Sequence, residues 1–321
     1  MGRRLLVNIA QFTAAQRSAI AAAARARDFE AVFCDDPPSA RAAAGEAEVI
    51  FSADEGLLDC SPKLKWMCVP NAGVDQYVKP ALIDRAGVLL SNSAGAYGVT
   101  IAAHIVMVTL MMMRRMPEYQ ALAREHGWRR DLPIRSIRDS RVVMLGTGDI
   151  GRETALRLRA FGPKSIVGVN RSGRARSELF DQVFSIDALD SVLPEADLLV
   201  MSLPGTPQTR NLLDERRLRL LPEDAFIVNV GRGSAIDEAA LARLLREGHL
   251  AGAALDVFRE EPLPKDSALW DCPRLLITQH VAGNMTLPYT VQRIAELFME
   301  DFERYCDGLP LIRAVTAERG Y

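Results

Sequence analysis

The chain has 321 residues, 39 basic against 41 acidic side chains and 49% hydrophobic residues, and at roughly 100–200 residues per domain it is long enough for two globular domains. A formal net charge of −2 without a long basic block argues against a nucleic-acid surface, because phosphate binding draws its affinity from clustered cations, and against disorder, which needs low hydrophobicity with high net charge. The five cysteines, Cys34, Cys60, Cys68, Cys272 and Cys306, are scattered and form no C-x-x-C pair, so neither a disulfide framework nor a metal site is expected and a reducing, cytoplasmic setting is the simple reading.

The N-terminal MGRRLLVNIA has too few apolar residues before Asn8 and Gln11 to form a signal-peptide core. Leu5 to Ala10 reads as a strand, Thr13 with Gln16 as a capping box opening an Ala-rich helix, and Ala31 to Cys34, Glu48 to Ser52 and Leu64 to Val69 as further strands. Such alternation is the pattern of a parallel sheet covered by helices. The stretch from Ala86 to Met113 carries no formal charge, yet Ser91, Asn92, Ser93, Gly95 and Gly98 break its first half. The remaining Val99 to Met113 is shorter than the ~20 residues a membrane span needs, so a buried core helix and no membrane partner are expected. His104 on that helix is read as a core or interface residue rather than a ligand. A second alternating series follows, with strands at Arg141 to Leu145, Ser165 to Val169, Leu198 to Ser202, Phe226 to Val230, Ala251 to Val257 and Leu275 to Thr278. These make the count of a complete dinucleotide-binding sheet. An amphipathic helix carrying Val291, Ile294, Phe298 and Phe302 closes the chain with a tail.

Gly146, Gly148 and Gly151 form G-x-G-x-x-G directly after the first strand of the second series and at the start of a periodic helix. The physics asks for each of them: a tight turn, close approach of backbone to a pyrophosphate, and close packing of helix on strand, with the helix N-terminus toward the negative charge. Asp149 and Ile150 lie inside this loop as cofactor-contact candidates. At the tip of the next strand, where an NAD(H) site carries an acid for the ribose, the chain reads Asn170, Arg171, Ser172. A neutral residue followed by a cation and a hydroxyl suits a 2′-phosphate, so NADP(H) is expected over NAD(H). The ordinary alternative is that Arg171, Arg174 and Arg176 form only a solvated basic turn.

Three polar residues stand at the C-terminal ends of strands, the edge where open α/β sheets bind ligands: Arg232 in NVGRGSAIDE, Glu261 in ALDVFREEPLP and His280 in LLITQHVAGN. Taken singly each has an ordinary structural reading. Together they supply what hydride transfer to a ketone requires. Hydride arriving at a carbonyl carbon leaves charge on oxygen, so a proton donor must be in reach. An imidazole titrates near ~6.5 and a neighbouring carboxylate favours its charged form, which suits His280 with Glu261, while an arginine such as Arg232 clamps the carboxylate of a 2-keto acid.

These segments, with SLPGTPQTRNLL at 202–213, LKWMCVPNAGVD at 64–75 and NSAGAYGVTIAAH at 92–104, resemble the D-isomer-specific 2-hydroxyacid dehydrogenases over nearly the whole chain. The resemblance implies two Rossmann-like, doubly wound parallel-sheet α/β domains. A flavodoxin-like substrate domain would be discontinuous, 1–97 plus 290–321, and an NAD(P)-binding domain would span 98–289. It implies Arg232, Glu261 and His280 as the catalytic trio, backbone around Ala72 and Gly73 holding the substrate carboxylate, Asp256 meeting the nicotinamide carboxamide, and Pro204, Thr209 and Val230 lining the cofactor. A homodimer is implied as well. The chain departs from the family at Gln279, where proline is common, and at Ala103, where Glu is common. NADPH-dependent reduction of a small 2-keto acid of the glyoxylate or hydroxypyruvate kind is the expected activity. The alternative is a dinucleotide-sensing binding protein of the corepressor type, whose members retain the trio. The absence of an appended regulatory domain after Tyr321 disfavours the long phosphoglycerate dehydrogenases.

Overall fold

The computed structural model describes residues 2–74, 77, 87–175 and 177–315. Arg176 and Ala86 therefore lie outside the described residues. The chain divides into two compact units, one of Met1–Tyr97 with Met285–Tyr321 and one of Gly98–Asn284. The chain returns to the first unit at Met285, just before the helix that begins at Pro288.

The first unit is built on five parallel strands, β1 (Arg3–Asn8), β2 (Phe29–Phe33), β3 (Val49–Ser52), β4 (Trp66–Cys68) and β5 (Leu89–Ser91), in the order β2-β1-β3-β4-β5. All of β3 and β4 is buried, which explains why they read as unbroken apolar runs rather than alternating ones. The Thr13–Gln16 capping box forms with both reciprocal bonds and opens the helix Ala14–Arg25. The C-terminal helix Pro288–Cys306 lays its apolar stripe on the sheet: Phe298 stacks on Phe51 with ring centroids 4.3 Å apart and on Trp66 at 5.5 Å. Beyond it, buried Asp301 accepts from the Ile312 N–H at 2.7 Å, and the tail pairs antiparallel with the sheet edge at Ser91 and Ala314.

The second unit carries seven parallel strands, β6 (Arg141–Leu145), β7 (Ser165–Asn170), β8 (Gln182–Ser185), β9 (Leu198–Met201), β10 (Phe226–Asn229), β11 (Gly252–Leu255) and β12 (Leu275–Ile277), ordered β12-β11-β10-β9-β6-β7-β8. This is the doubly wound dinucleotide-binding order with one strand added beyond β11, and its reversal lies between β6 and β9, where such sheets open a crevice at the carboxyl ends of their strands. β8 is the strand that sequence reading omits: QVFS is an edge strand with no fully buried residue, too polar and too short to show a pattern. β5, only LLS, is omitted for the same shortness. The uncharged stretch folds as the helix Gly98–Met113, with eight buried residues, packed against the helix Asp149–Arg159. Among the described residues no single helix is long and apolar enough to cross a membrane.

Candidate active site

The glycine loop between β6 and the helix Asp149–Arg159 divides its work among three residues. Gly146 holds φ at +105°, and a Cβ on it would come within 2.7 Å of Ser202 Oγ. A Cβ on Gly151 would lie 2.2 Å from the Gly146 carbonyl oxygen, so helix and loop touch there backbone to backbone. Gly148, by contrast, has nothing within 4 Å of such a Cβ, and as the residue before the helix it offers no side-chain cap. A helix start without a side-chain cap, behind a loop open at Gly148, is the arrangement that receives a phosphate. The Asp149 carboxylate turns away to accept the Gly98 N–H at 2.9 Å, which caps the start of the neighbouring helix; half-buried Ile150 follows it.

Beside this loop, the Asn170 side chain ties two segments together. Its Nδ2 donates to Thr147 Oγ1 at 2.8 Å and to the Arg174 carbonyl at 3.0 Å, while Oδ1 accepts from the Ser172 and Gly173 N–H groups. Asn170 shapes the turn, and the Ser172 hydroxyl leans on the same Oδ1 at 3.3 Å. Among the described residues the exposed guanidinium groups of Arg171 and Arg174 have no hydrogen bond or ion pair, and no carboxylate stands at the tip of β7. The residues present thus fit a dinucleotide: a cradle open at Gly148, a helix start without a side-chain cap, and exposed cations on the turn after β7.

Across the rest of this edge, successive loops pack backbone on backbone in the order of the strands. A Cβ on Gly231 would meet the Leu203 carbonyl oxygen at 2.5 Å, and one on Gly233 the Phe258 carbonyl carbon at 1.9 Å. The Leu203 loop is itself closed by Thr209, whose hydroxyl donates to the Pro204 carbonyl at 2.7 Å. Buried Val230 donates its N–H to the Met201 carbonyl. Half-buried Arg232 sits between the two contact glycines, its turn shaped by Asn229, which accepts from the Gly231 N–H and donates to the Arg232 carbonyl, each at 3.0 Å. Its Nη1 donates to the Gly231 carbonyl at 2.8 Å.

Glu261 and His280 come together. Glu261 Oε2 lies 2.6 Å from His280 Nδ1, and Oε1 accepts the Phe258 N–H at 2.8 Å, so one carboxylate grips its own turn and the imidazole at once. Glu238 steadies that turn from below by accepting the Arg259 N–H at 2.6 Å, and burial raises its carboxyl above the ordinary value. His280, about half exposed, is held at φ +54°, a region that a residue with a Cβ occupies when its surroundings impose it. What imposes it is Asp256, 2% exposed, whose carbonyl accepts the His280 N–H and whose carboxylate accepts Thr278 Oγ, Val281 N–H and Ala282 N–H. His104 reaches the same cluster from its helix, with Nε2 at 3.2 Å from Thr278 Oγ1.

In the other unit, the loop of Ala72 and Gly73 is braced by the segment after β5. Asn92 Nδ2 donates to the Ala72 carbonyl at 2.8 Å, the Ser93 N–H to Asn71, the Ser93 hydroxyl to Val69 and the Tyr97 hydroxyl to Pro70. Sequence reasoning singled out the trio and the glycine loop but not Glu238, Thr278 or His104 as parts of the site. Each lies within a segment that carries the resemblance, but its contact joins it to a position elsewhere in the chain.

This fold and this edge define a nicotinamide-dinucleotide-binding protein with an acid–base pair on a strand-end loop. Comparison with known proteins then specifies it. Residues 106–282 match the model of the D-isomer specific 2-hydroxyacid dehydrogenase NAD binding domain. A glyoxylate reductase of Thermofilum pendens is 30% identical over 76% of this chain and 72% of its own length. A D-isomer specific 2-hydroxyacid dehydrogenase family protein from Aeromonas salmonicida superposes with a TM-score of 0.86 at 33% identity, covering 98% of this chain and 99% of that one. An NADPH-dependent glyoxylate/hydroxypyruvate reductase from Sinorhizobium meliloti, solved with NADP and sulfate, gives 0.82 at 28% identity, covering 99% and 100%. The chain belongs to the D-isomer-specific 2-hydroxyacid dehydrogenase family. It is an NAD(P)-dependent oxidoreductase of that family.

Proposed function

We propose that the protein reduces a small 2-keto acid, of the glyoxylate or hydroxypyruvate kind, to the D-2-hydroxy acid with NADPH. The observation that carries this reading is the 2.6 Å contact between His280 Nδ1 and Glu261 Oε2 at the carboxyl edge of the sheet that also holds the glycine loop. The reduced dinucleotide supplies the hydride when bound, with its phosphates held by the backbone of Gly146 to Gly151. His280 gives the proton to the carbonyl oxygen, Glu261 orients the ring, and Arg232 clamps the substrate carboxylate and polarises the carbonyl. Pro204, Thr209 and Val230 keep the cofactor-lining role, Asp256 the contact with the nicotinamide carboxamide, and Ala72 and Gly73 the substrate-binding role that the resemblance implies.

The preference for NADPH over NADH rests on Arg171 and Arg174, unpaired among the described residues, and on the neutral Asn170 beside them. It is supported by the presence of NADP in the Sinorhizobium relative. A homodimer belongs to the same proposal: exposed Met107, Met116 and Ile134 give the second unit the apolar surface that such a contact would bury. The deciding experiment follows the loss of reduced-nicotinamide absorbance with NADPH, and separately NADH, against glyoxylate, hydroxypyruvate, pyruvate and a phenyl-substituted keto acid. Turnover with NADPH and a small keto acid is the expected result. Turnover only with NADH removes the phosphate argument. Dinucleotide binding without turnover of any of them overturns the reductase reading in favour of a sensor.

A further inference from the structure

We propose that His104 is a positioning residue for His280, acting through Thr278 and Asp256; the inference rests on the acid role proposed for His280. The donors and acceptors fix the direction of the chain. Asp256 Oδ1 and Oδ2 each accept a backbone N–H at 3.0 Å, from Val281 and Ala282. Thr278 Oγ lies 2.5 Å from the same Oδ1 and donates to it. A hydroxyl has one proton, so the 3.2 Å contact between Thr278 Oγ1 and His104 Nε2 runs the other way, with the ring N–H donating. His104 is therefore the tautomer protonated at Nε2, and it stands 3.9 Å from Asp256 Oδ1 with only 11% of its side chain exposed. Burial holds its imidazole below the ordinary value against the opposing pull of Asp256, which keeps the ring neutral and the tautomer defined.

The consequence reaches His280 through the backbone. Three consecutive N–H groups, those of His280, Val281 and Ala282, hang on one residue, Asp256. Where the Asp256 carboxylate points sets the left-handed turn at His280 and hence the ring presented to Glu261. Thr278 at the end of β12 and His104 on the helix Gly98–Met113 hold that carboxylate from its other side. Three separate elements thus meet on one buried acid, while the imidazole of His280 stands about half exposed.

The test pairs kinetics with histidine-ring NMR, which is tractable because the chain has only four histidines. His104→Leu is expected to lower kcat roughly tenfold, the scale of a small misplacement of a reacting group, with the Kd for NADPH unchanged, and to move the ring signals of His280. His104→Gln, whose amide N–H still donates, restores kcat and the His280 signals. In a Thr278→Val background His104→Leu adds nothing further, since coupled residues are not additive. Unmoved His280 signals and kcat in His104→Leu, or a wild-type His104 protonated at Nδ1, overturn the inference. If His104→Leu does not fold, Thr278→Ser against Thr278→Val decides it: the first keeps the His280 signals and the second moves them, and equal behaviour of the two overturns the relay. A wild type without turnover defeats the reductase reading, while the ring spectra still decide the positioning role.

Discussion

Gly233 and Phe258 meet backbone to backbone, so closely that a Cβ on Gly233 would lie 1.9 Å from the Phe258 carbonyl carbon and 2.3 Å from its Cα. One residue before Gly233 is Arg232, and the Phe258 N–H is the one Glu261 accepts. The contact therefore sets the spacing between the proposed substrate clamp and the carboxylate that orients His280. Both partners at the contact are backbone, so neither side can yield by a rotamer change. Gly233→Ala is expected to lower kcat/KM by roughly 10²-fold, as misplacement remote from the chemistry does, and to lower the thermal midpoint. Steady-state kinetics with a thermal melt check it, and wild-type values for both would show that the loops do not need this approach.

Glu261 does two jobs through two oxygens, and a single substitution separates them. Glu261→Gln keeps a carbonyl oxygen for the Phe258 N–H but replaces the oxygen facing His280 Nδ1 with a donor or leaves it uncharged. The turn is expected to survive, with little change in the melt, while kcat falls by roughly 10- to 100-fold, part of the range acid–base groups supply. His280→Ala is expected to cost at least ~10²-fold in kcat. If both variants turn over like the wild type, the pair plays no part in the chemistry.

The guanidinium of Arg171 projects from the turn that Asn170 ties to the glycine loop through Thr147. Because the turn is held by Asn170 and not by Arg171, the arginine can be replaced without loosening the loop. Arg171→Asp removes a phosphate donor and adds repulsion, so the ratio of kcat/KM for NADPH to that for NADH is expected to fall and invert. A ratio that does not move would assign the preference elsewhere, with Arg174 the next residue to change.

How much of this was legible in the sequence follows from how local each feature is. The glycine loop is legible because its three demands fall within six consecutive positions, and the structure gives Gly146 and Gly151 each its own close approach and leaves Gly148 open. Arg232, Glu261 and His280 are legible because each follows an apolar strand, and parallel order brings such ends to one edge. The edge strand Gln182–Ser185 is not, since half-exposed strands of four residues carry no period. Nor is the use of Asp149 as a cap for the next helix, or of Asp256 as the anchor of the His280 loop, because a carboxylate shows no preference for one N–H over another until the fold presents them. His104 and Thr278 are 174 positions apart. Nothing in either neighbourhood marks the other, and an apolar helix makes a core reading of His104 the natural one.

The first unit should respond to acid through Glu48. Burial alone would raise the Glu48 carboxyl, but hydrogen bonds from Arg3 and Tyr305, each at 2.8 Å, outweigh it and hold the group below the ordinary carboxylate value. Its side chain is only 12% exposed, so the bonds are not simply exchanged for water. A depressed carboxylate contributes stability that is fully present above its unfolded pKa, about 4.3 for Glu, and that is lost as the pH falls through the lower folded value. Glu48→Gln is therefore expected to destabilise the protein at neutral pH by about 1.5–3 kcal/mol, the range for hydrogen bonds to a charged group. The gap to the wild type should close once the pH drops below the ordinary carboxylate range. Thermal midpoints of both proteins across that range measure it: a gap that stays constant into acid would mean that the charge of Glu48, as distinct from its shape, contributes nothing to the sheet edge it pins.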